Sequence, residues 1–213
     1  MAKVVVFGPQ AFGIVNSVSH GFRELGWDVT SIGWRHRRSR PWTRLASRLG
    51  LQKPMDQMLL MEFNELVGEN VIPALKQSKP DLLFVIGPRE MSSKNLDQLQ
   101  MLKVKTIVWV IDSETRYPSQ LSLSEIAWRS YVMDGGDAYD ETRIWQPLGF
   151  DDRLFKPSKE NKIFDILFAG NIGKRYYDTR EAYLTILKHS KLCRKYRVGF
   201  VGSSSNVWQN RFR

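Results

Sequence analysis

The sequence has one cysteine, Cys193, in 213 residues, and this scarcity excludes two kinds of protein. A single thiol cannot form an internal disulfide, and it cannot supply the paired cysteines of a CxxC metal or redox site. Histidine is almost as rare: His20, His36 and His189 do not combine with carboxylates at metal-ligand spacing. We therefore expect neither disulfides nor a structural metal.

Long apolar runs are also missing. No stretch approaches the roughly 18 consecutive apolar residues that identify a transmembrane helix. The N-terminus, MAKVVVFGPQ, enters a β-branched segment directly, without the charged region and apolar core of a signal peptide. We expect a cytoplasmic protein, with peripheral attachment to the inner membrane face left open by the basic segment described next.

Acidic residues are absent from residues 35–48, which carry six arginines against a net charge of +10 for the whole chain. These arginines are Arg35, Arg37, Arg38, Arg40, Arg44 and Arg48. Together with Trp42 and Leu45 they have the composition of an interfacial helix on an anionic membrane. A solvated segment whose aromatic residues pack on the domain explains them equally well. Nucleic acid is the least favoured partner, because no binding module is recognised.

Apolar, β-branched segments alternate with helical patterns over the first 150 residues or so, and this alternation is typical of a doubly wound parallel sheet. One long helical pattern has Met58, Met61, Leu66 and Ile72 at its apolar positions. Strands are predicted at residues 3–8, 27–34, 81–87, 105–112, 129–134 and 143–147, and helices at 16–25, 55–77 and 92–102. The fold class is α/β, Rossmann-like.

A second α/β unit begins after the polar residues 148–162, which we interpret as a linker. Residues 164–170, FDILFAG, restart the strand-loop-helix pattern, and residues 196–204, YRVGFVGSS, continue it. We place the boundary near residue 157, which gives a domain of residues 1–157 and a partial one of residues 158–213.

Ligands of open α/β sheets bind at the carboxyl ends of the strands, so the loops there are candidates for function. The first, GPQAFG, has Gly8 and Gly13 at its ends and matches neither GxGxxG nor a GxxxxGK[ST] loop, because Ile14 and Val15 replace the Lys-Ser/Thr pair. It is either a flexible turn before a helix or a loop whose N–H groups face a phosphate or an acceptor hydroxyl.

Two carboxylates follow the fourth predicted strand, in WVIDSETR. Asp112 and Glu114 are candidates for the general base that takes a proton from an acceptor hydroxyl. The alternative interpretation is a loop carboxylate that pairs with Arg116.

The loop after FDILFAG is the strongest candidate for binding phosphate. It places Gly170, Asn171, Gly173, Lys174 and Arg175 between a strand and a helix. Glycines let the backbone approach a diphosphate, and the paired cations neutralise the charge that develops on a leaving group.

The chain resembles the CgeB-like, spore-maturation type of bacterial glycosyltransferase, a branch of the two-domain GT-B transferases. The resemblance covers nearly the whole chain, and its most specific part runs from PLGFD to FAGN. The matching features are KVVVFGP at the start, PDLLFVIGP (80–88), TIVWVID (106–112), IWQPLGFDDRLFKP (144–157), FDILFAGNIGKR (164–175), the following Arg180, and VGFVGSS (198–204).

The resemblance implies transfer of a sugar from a nucleotide-sugar donor to an acceptor held by the N-terminal domain. The donor's nucleotide would bind in the C-terminal domain, which we expect to be partial here, so that the chain is a piece of a longer protein or works with a partner. No tightly bound cofactor is expected, and a magnesium ion held loosely on the diphosphate stays open. A lipid-linked or surface-polymer acceptor would suit the arginine-rich residues 35–48.

Two other functions are alternatives. A non-catalytic protein of the same fold could dock an anionic membrane or polymer through residues 35–48. A dinucleotide-dependent oxidoreductase is disfavoured, because the chain lacks GxGxxG and its second predicted strand ends in Gly33 and Trp34 and not in an acidic residue. The sequence does not identify the oligomeric state.

Overall fold

The structure is a computed structural model that describes residues 1–10, 13–34, 52–113, 121–138, 141–157, 161–170 and 178–201. The chain divides into two compact units, Met1–Leu154 and Phe155–Arg213.

The first unit is built on one six-stranded parallel sheet in the order β2-β1-β3-β4-β5-β6. Its strands are β1 (Lys3–Pro9), β2 (Asp28–Trp34), β3 (Leu82–Ile86), β4 (Lys105–Val110), β5 (Arg129–Val132) and β6 (Arg143–Trp145). Its helices are α1 (Ile14–Glu24), α2 (Gln52–Leu66), α3 (Ile72–Ser78), α4 (Ser93–Leu102) and the short α5 (Leu121–Ser124). The predicted α/β, Rossmann-like class is confirmed, because every predicted strand is present and parallel.

Alternate residues of β1 point to opposite faces of the sheet, and both faces are covered by helices. Val4 and Val6 pack with Val15 of α1, whereas Val5 and Phe7 pack with α2 to α5. All four strand residues are at most 1% exposed. Burial on both faces explains why the strand is a continuous apolar run without polar alternation.

The helical stretch of residues 52–78 contains a π-helical segment, Val67–Val71, between α2 and α3. Pro73 lies two residues after it, in the first turn of α3. Proline has no N–H and its ring collides with the carbonyl four residues earlier, so a wider turn before it relieves the conflict.

The apolar face predicted for this stretch was partly wrong. Met61 is 64% exposed, and the buried positions are Phe63, Val67, Val71, Ile72 and Leu75. The buried stripe therefore recurs at every fourth residue from Phe63, on a different face from Met61. Met61 and Phe63 are both apolar, so the sequence alone does not decide which of the two faces is buried.

The second unit contains a two-stranded parallel sheet of β7 (Ile166–Ala169) and β8 (Val198–Val201), with helices α6 (Asp178–His189) and α7 (Leu192–Lys195) between the strands in the chain. Asp165 and Arg197, which immediately precede the two strands, form an ion pair with Nη2–Oδ1 3.1 Å. Hydrogen bonds from the Arg197 side chain and backbone lower the pKa of Asp165. This pair fixes the register at the start of the sheet.

Among the described residues, no helix combines the length and the apolar character that crossing a membrane requires.

Candidate functional site

All strands of the first unit run in the same direction, so their carboxyl ends meet at one edge of the sheet. The order of strands reverses beside β1, with β2 on one side and β3 on the other. In open α/β sheets such a switch point is where ligands bind. Beyond the strands this edge carries Gln10 after β1, Gly87 and Arg89 after β3, Asp112 after β4 and Asp134 after β5.

A cavity of about 260 Å³ opens at this edge, where β1, β2 and α1 meet. It is lined by Gln10, Gly13, Val15, Asn16, Ser31 and Gly33. We call it the β1–β2 cavity. The sequence predicts a candidate loop here, but it does not identify Gln10, Asn16 or Ser31, since their convergence depends on the turn into α1 and on the register of β2.

Gly13 caps the N-terminus of α1 with φ 71°, a left-handed conformation. No atom lies within 4 Å of the position that a Cβ would take, so this glycine is required by its backbone angle and not by crowding. No side chain caps the helix. Gly13 itself has no side chain to cap the first N–H groups of α1, and its role toward a ligand stays a prediction.

Gln10 lies across β2 at the cavity. Its backbone N–H donates to the Trp34 carbonyl, 3.0 Å away. Its side chain covers Gly33 so closely that a Cβ on Gly33 would stand 2.2 Å from Gln10 Cγ. Because Gly33 has no side chain, it leaves the space that the Gln10 side chain occupies.

Gly8 lies inside β1 and not in the loop that the sequence predicted. It pairs in register with Gly33 of β2, which extends the strand to Pro9. A Cβ on Gly8 would lie 2.8 Å from Ile86 Cβ and 3.2 Å from Val15 Cγ2. Close packing of β1 against β3 and α1 thus accounts for this glycine, and its role toward a ligand stays a prediction.

The segment after β6 is anchored beside the cavity. The Asp151 carboxylate accepts hydrogen bonds from Arg153, with Nε–Oδ1 2.8 Å and backbone N–Oδ1 3.0 Å, and the Ser17 side chain lies near enough to lower its pKa as well. These bonds hold the pKa of Asp151 well below its usual range. The Asp151 side chain is 8% exposed although the segment is otherwise open. Ser17 follows Asn16, so this anchor supports the first turn of α1.

The loop after β3 is held by a buried amide cluster that the sequence did not reveal. Asn64 Nδ2 donates to the Glu90 carbonyl at 3.0 Å, and Asn64 Oδ1 accepts from the Ser92 N–H at 2.7 Å. Asn95 Nδ2 donates to the Asn64 carbonyl at 2.9 Å and to Asn64 Oδ1 at 3.1 Å. Asn64 and Asn95 therefore fix the position of this loop relative to α2 and α4.

This held loop carries Arg89, whose Cζ lies 5.3 Å from the centroid of the Trp34 ring. The loop starts at Gly87, whose φ of 53° and close approach to Ile111, 3.1 Å from a Cβ position, both require glycine. The result is a cation placed between the ends of β2 and β3. The sequence indicated this loop as a candidate by position alone.

Asp112 is an exposed residue just beyond β4. Val110 of β4 and Val132 of β5 are register partners, so Asp112 and Asp134 each stand two residues past a matched pair. The Met133 N–H still donates to the Val110 carbonyl at 3.0 Å, which keeps the strands paired up to Asp134. Asp134 Oδ1 accepts from the Gly136 N–H at 3.0 Å. Asp134 is thus a second carboxylate at this edge.

In the second unit the structure brings Gly170 and Arg180 together. Gly170 follows β7, and Arg180 lies in the first turn of α6. Arg180 Nη1 is 3.6 Å from the position that a Cβ on Gly170 would take. A guanidinium and a helix N-terminus at the end of a parallel strand both favour an anion.

Several predicted residues lie outside the described part of the chain. They are Glu114, the loop residues Asn171, Gly173, Lys174 and Arg175, and the six arginines Arg35, Arg37, Arg38, Arg40, Arg44 and Arg48. Their roles stay predictions.

The part of the chain that the structure describes contains no group of three or more His, Cys, Asp or Glu side chains that could hold a metal ion. No protein-family model matches the chain, and neither does any curated protein sequence. A functional assignment therefore depends on the chemistry of the residues themselves.

Proposed function

We propose that the chain is a nucleotide-sugar glycosyltransferase, or the part of one that carries the first unit and the start of the second. The observation that carries this proposal is the meeting of Arg180 with Gly170 at the carboxyl end of β7. A helix N-terminus and a guanidinium at the end of a parallel strand form a set suited to the diphosphate of a nucleotide sugar. The neighbouring Lys174 and Arg175 add to this charge in the sequence.

The reaction needs a cation for the leaving group and a base for the acceptor. The acceptor oxygen forms a bond to the anomeric carbon, while the bond from that carbon to the diphosphate oxygen breaks. The nucleoside diphosphate leaves with the electron pair, and Arg180 stabilises its charge. The acceptor proton passes to a carboxylate, for which we propose Asp112 at the end of β4.

Binding of nucleoside diphosphates tests this proposal directly. Isothermal titration calorimetry with UDP, GDP, ADP, CDP and dTDP should show binding of at least one of them to the wild-type chain. Arg180→Ala should weaken that binding by about tenfold or more, because one charge-assisted hydrogen bond is worth roughly 1.5–3 kcal/mol.

Lys191→Ala is the matched control, since it removes one exposed positive charge near the far end of α6 and should leave affinity unchanged. If no nucleoside diphosphate binds, or if both substitutions weaken binding equally, the proposal is wrong.

A further inference from the structure

We propose that the β1–β2 cavity binds an uncharged sugar ring, and that its two carboxamides, Gln10 and Asn16, recognise the hydroxyls of that ring. The inference rests on the proposed function, in which this ring belongs to the acceptor. It names side chains and a chemical class of ligand for a loop that the sequence left open between a flexible turn and a ligand-facing role.

The volume of the cavity limits the ligand to one small ring. Sites for drug-sized ligands and cofactors occupy about 300–1,000 Å³. The β1–β2 cavity, at about 260 Å³, lies below this range. A single monosaccharide unit suits it better than a complete nucleotide sugar.

The described residues that line the cavity are largely polar, and none of them carries a formal charge. Gln10, Asn16 and Ser31 supply its side-chain polar groups, and the other lining residues are Gly13, Val15 and Gly33. A carboxamide offers an N–H donor and a carbonyl acceptor side by side, and a hydroxyl offers both from one atom. Sugar hydroxyls are donors and acceptors at once, so they can satisfy this lining. A phosphate would find no cation among these six residues.

The polar groups are held in place from behind. Ser31 Oγ donates to Ser19 Oγ at 2.8 Å, and Ser19 is 1% exposed. The Gln10 side chain is positioned by its packing against Gly33. Asn16 precedes Ser17, which Asp151 anchors. Recognition groups fixed in this way lose less conformational entropy when a ligand binds.

Gly33 offers a way to fill the cavity without removing a polar group. An added Cβ there would stand 2.2 Å from Gln10 Cγ and 2.7 Å from Gln10 Nε2. The Gln10 side chain is exposed to solvent, so an added methyl group can push it off Gly33 while the sheet stays intact. Gly33→Ala should therefore displace the Gln10 carboxamide and reduce the cavity.

The experiment is ligand-observed saturation-transfer NMR with the methyl glycosides of glucose, galactose, mannose and N-acetylglucosamine, and with inorganic phosphate as a competitor. At least one glycoside should bind to the wild-type chain. Gly33→Ala and the double substitution Gln10→Ala with Asn16→Ala should each weaken binding at least tenfold. Gln77→Ala removes an exposed carboxamide on α3 and should leave binding unchanged.

The inference is overturned if no glycoside binds, if the cavity substitutions have no effect, or if inorganic phosphate displaces the glycoside. Circular dichroism of each variant identifies loss of fold, and the Gln10→Ala single variant, which changes only an exposed side chain, then carries the test. Glycoside binding without nucleoside diphosphate binding would support this site and contradict the transferase. The reverse result would support the transferase and contradict this site.

Discussion

Asp151, in the segment after β6, pairs with Arg153, whose Nε lies 2.8 Å from Asp151 Oδ1. The Ser17 side chain, in the first turn of α1, also lowers the pKa of this carboxylate, so the segment lies against the helix that forms one wall of the β1–β2 cavity. Arg153 makes the larger contribution to the low pKa of this carboxylate, through its side chain. Asp151 therefore has a structural role in the segment that follows β6.

Asp151→Asn should destabilise the first unit at neutral pH, and the loss should shrink in acid. A carboxylate whose pKa is lowered by folding stabilises the native state above its unfolded pKa, about 3.9. That contribution falls as the pH drops below this value toward the native pKa. The check is the urea midpoint of both proteins at pH 7 and pH 3.

The control for this measurement is Asp152→Asn, which removes an exposed neighbouring carboxylate. It should shift the midpoint little at either pH. An equal midpoint difference at pH 7 and pH 3 for Asp151→Asn would show that its ionised form is not what stabilises the fold.

Gly13, next to α1, and Gly21, inside it, should change the stability in opposite directions when each is replaced by alanine. Gly13→Ala should lower the free energy of unfolding by about 1–2 kcal/mol, because the left-handed conformation at φ 71° is unfavourable for alanine. Gly21 lies inside the helix, and no atom lies within 4 Å of the position that a Cβ would take. Gly21→Ala should therefore raise the free energy of unfolding by about 0.5–1 kcal/mol. Chemical denaturation measures both, and a change of the same sign in both variants would contradict the assigned backbone conformations.

The amide cluster under the β3 loop should be costly to break. Asn95 is 4% exposed, and Asn95→Ala leaves the Asn64 carbonyl without this donor. Unsatisfied buried groups cost about 1–3 kcal/mol, so the denaturation midpoint should fall accordingly. Gln100→Ala, on the exposed side of the same helix, should change the free energy of unfolding by less than about 0.5 kcal/mol. Equal effects would show that the cluster contributes little.

Asp112→Asn should lower the rate of sugar transfer by about 10²–10⁴ without weakening nucleoside diphosphate binding, since a general base acts in the chemical step. Asp97→Asn, an exposed carboxylate on α4, is the control and should leave the rate unchanged. If Asp112→Asn retains the full rate, Asp134→Asn becomes the variant to test, because Asp134 occupies the equivalent position after β5.

The strands and their parallel arrangement were predictable because burial on both faces leaves long apolar runs such as residues 3–8. The buried face of the long helix was not predictable, because Met61 and Phe63 are both apolar and only packing decides which of them is buried. Gly13 was identified by its position, yet its neighbours in the cavity were not. The placement of Gln10 over Gly33 and the Asn64–Asn95 cluster depend on contacts between distant segments, which no local pattern encodes.

The central claim is that this chain acts on a nucleotide sugar, and ³¹P NMR of a panel of nucleotide-sugar donors tests it most directly. Incubation with the wild-type chain, with and without methyl glycosides, should release nucleoside diphosphate from at least one donor, and Arg180→Ala should slow the release at least tenfold. Persistence of every donor, with no nucleoside diphosphate formed, would contradict the claim and favour a binding protein that acts through residues 35–48.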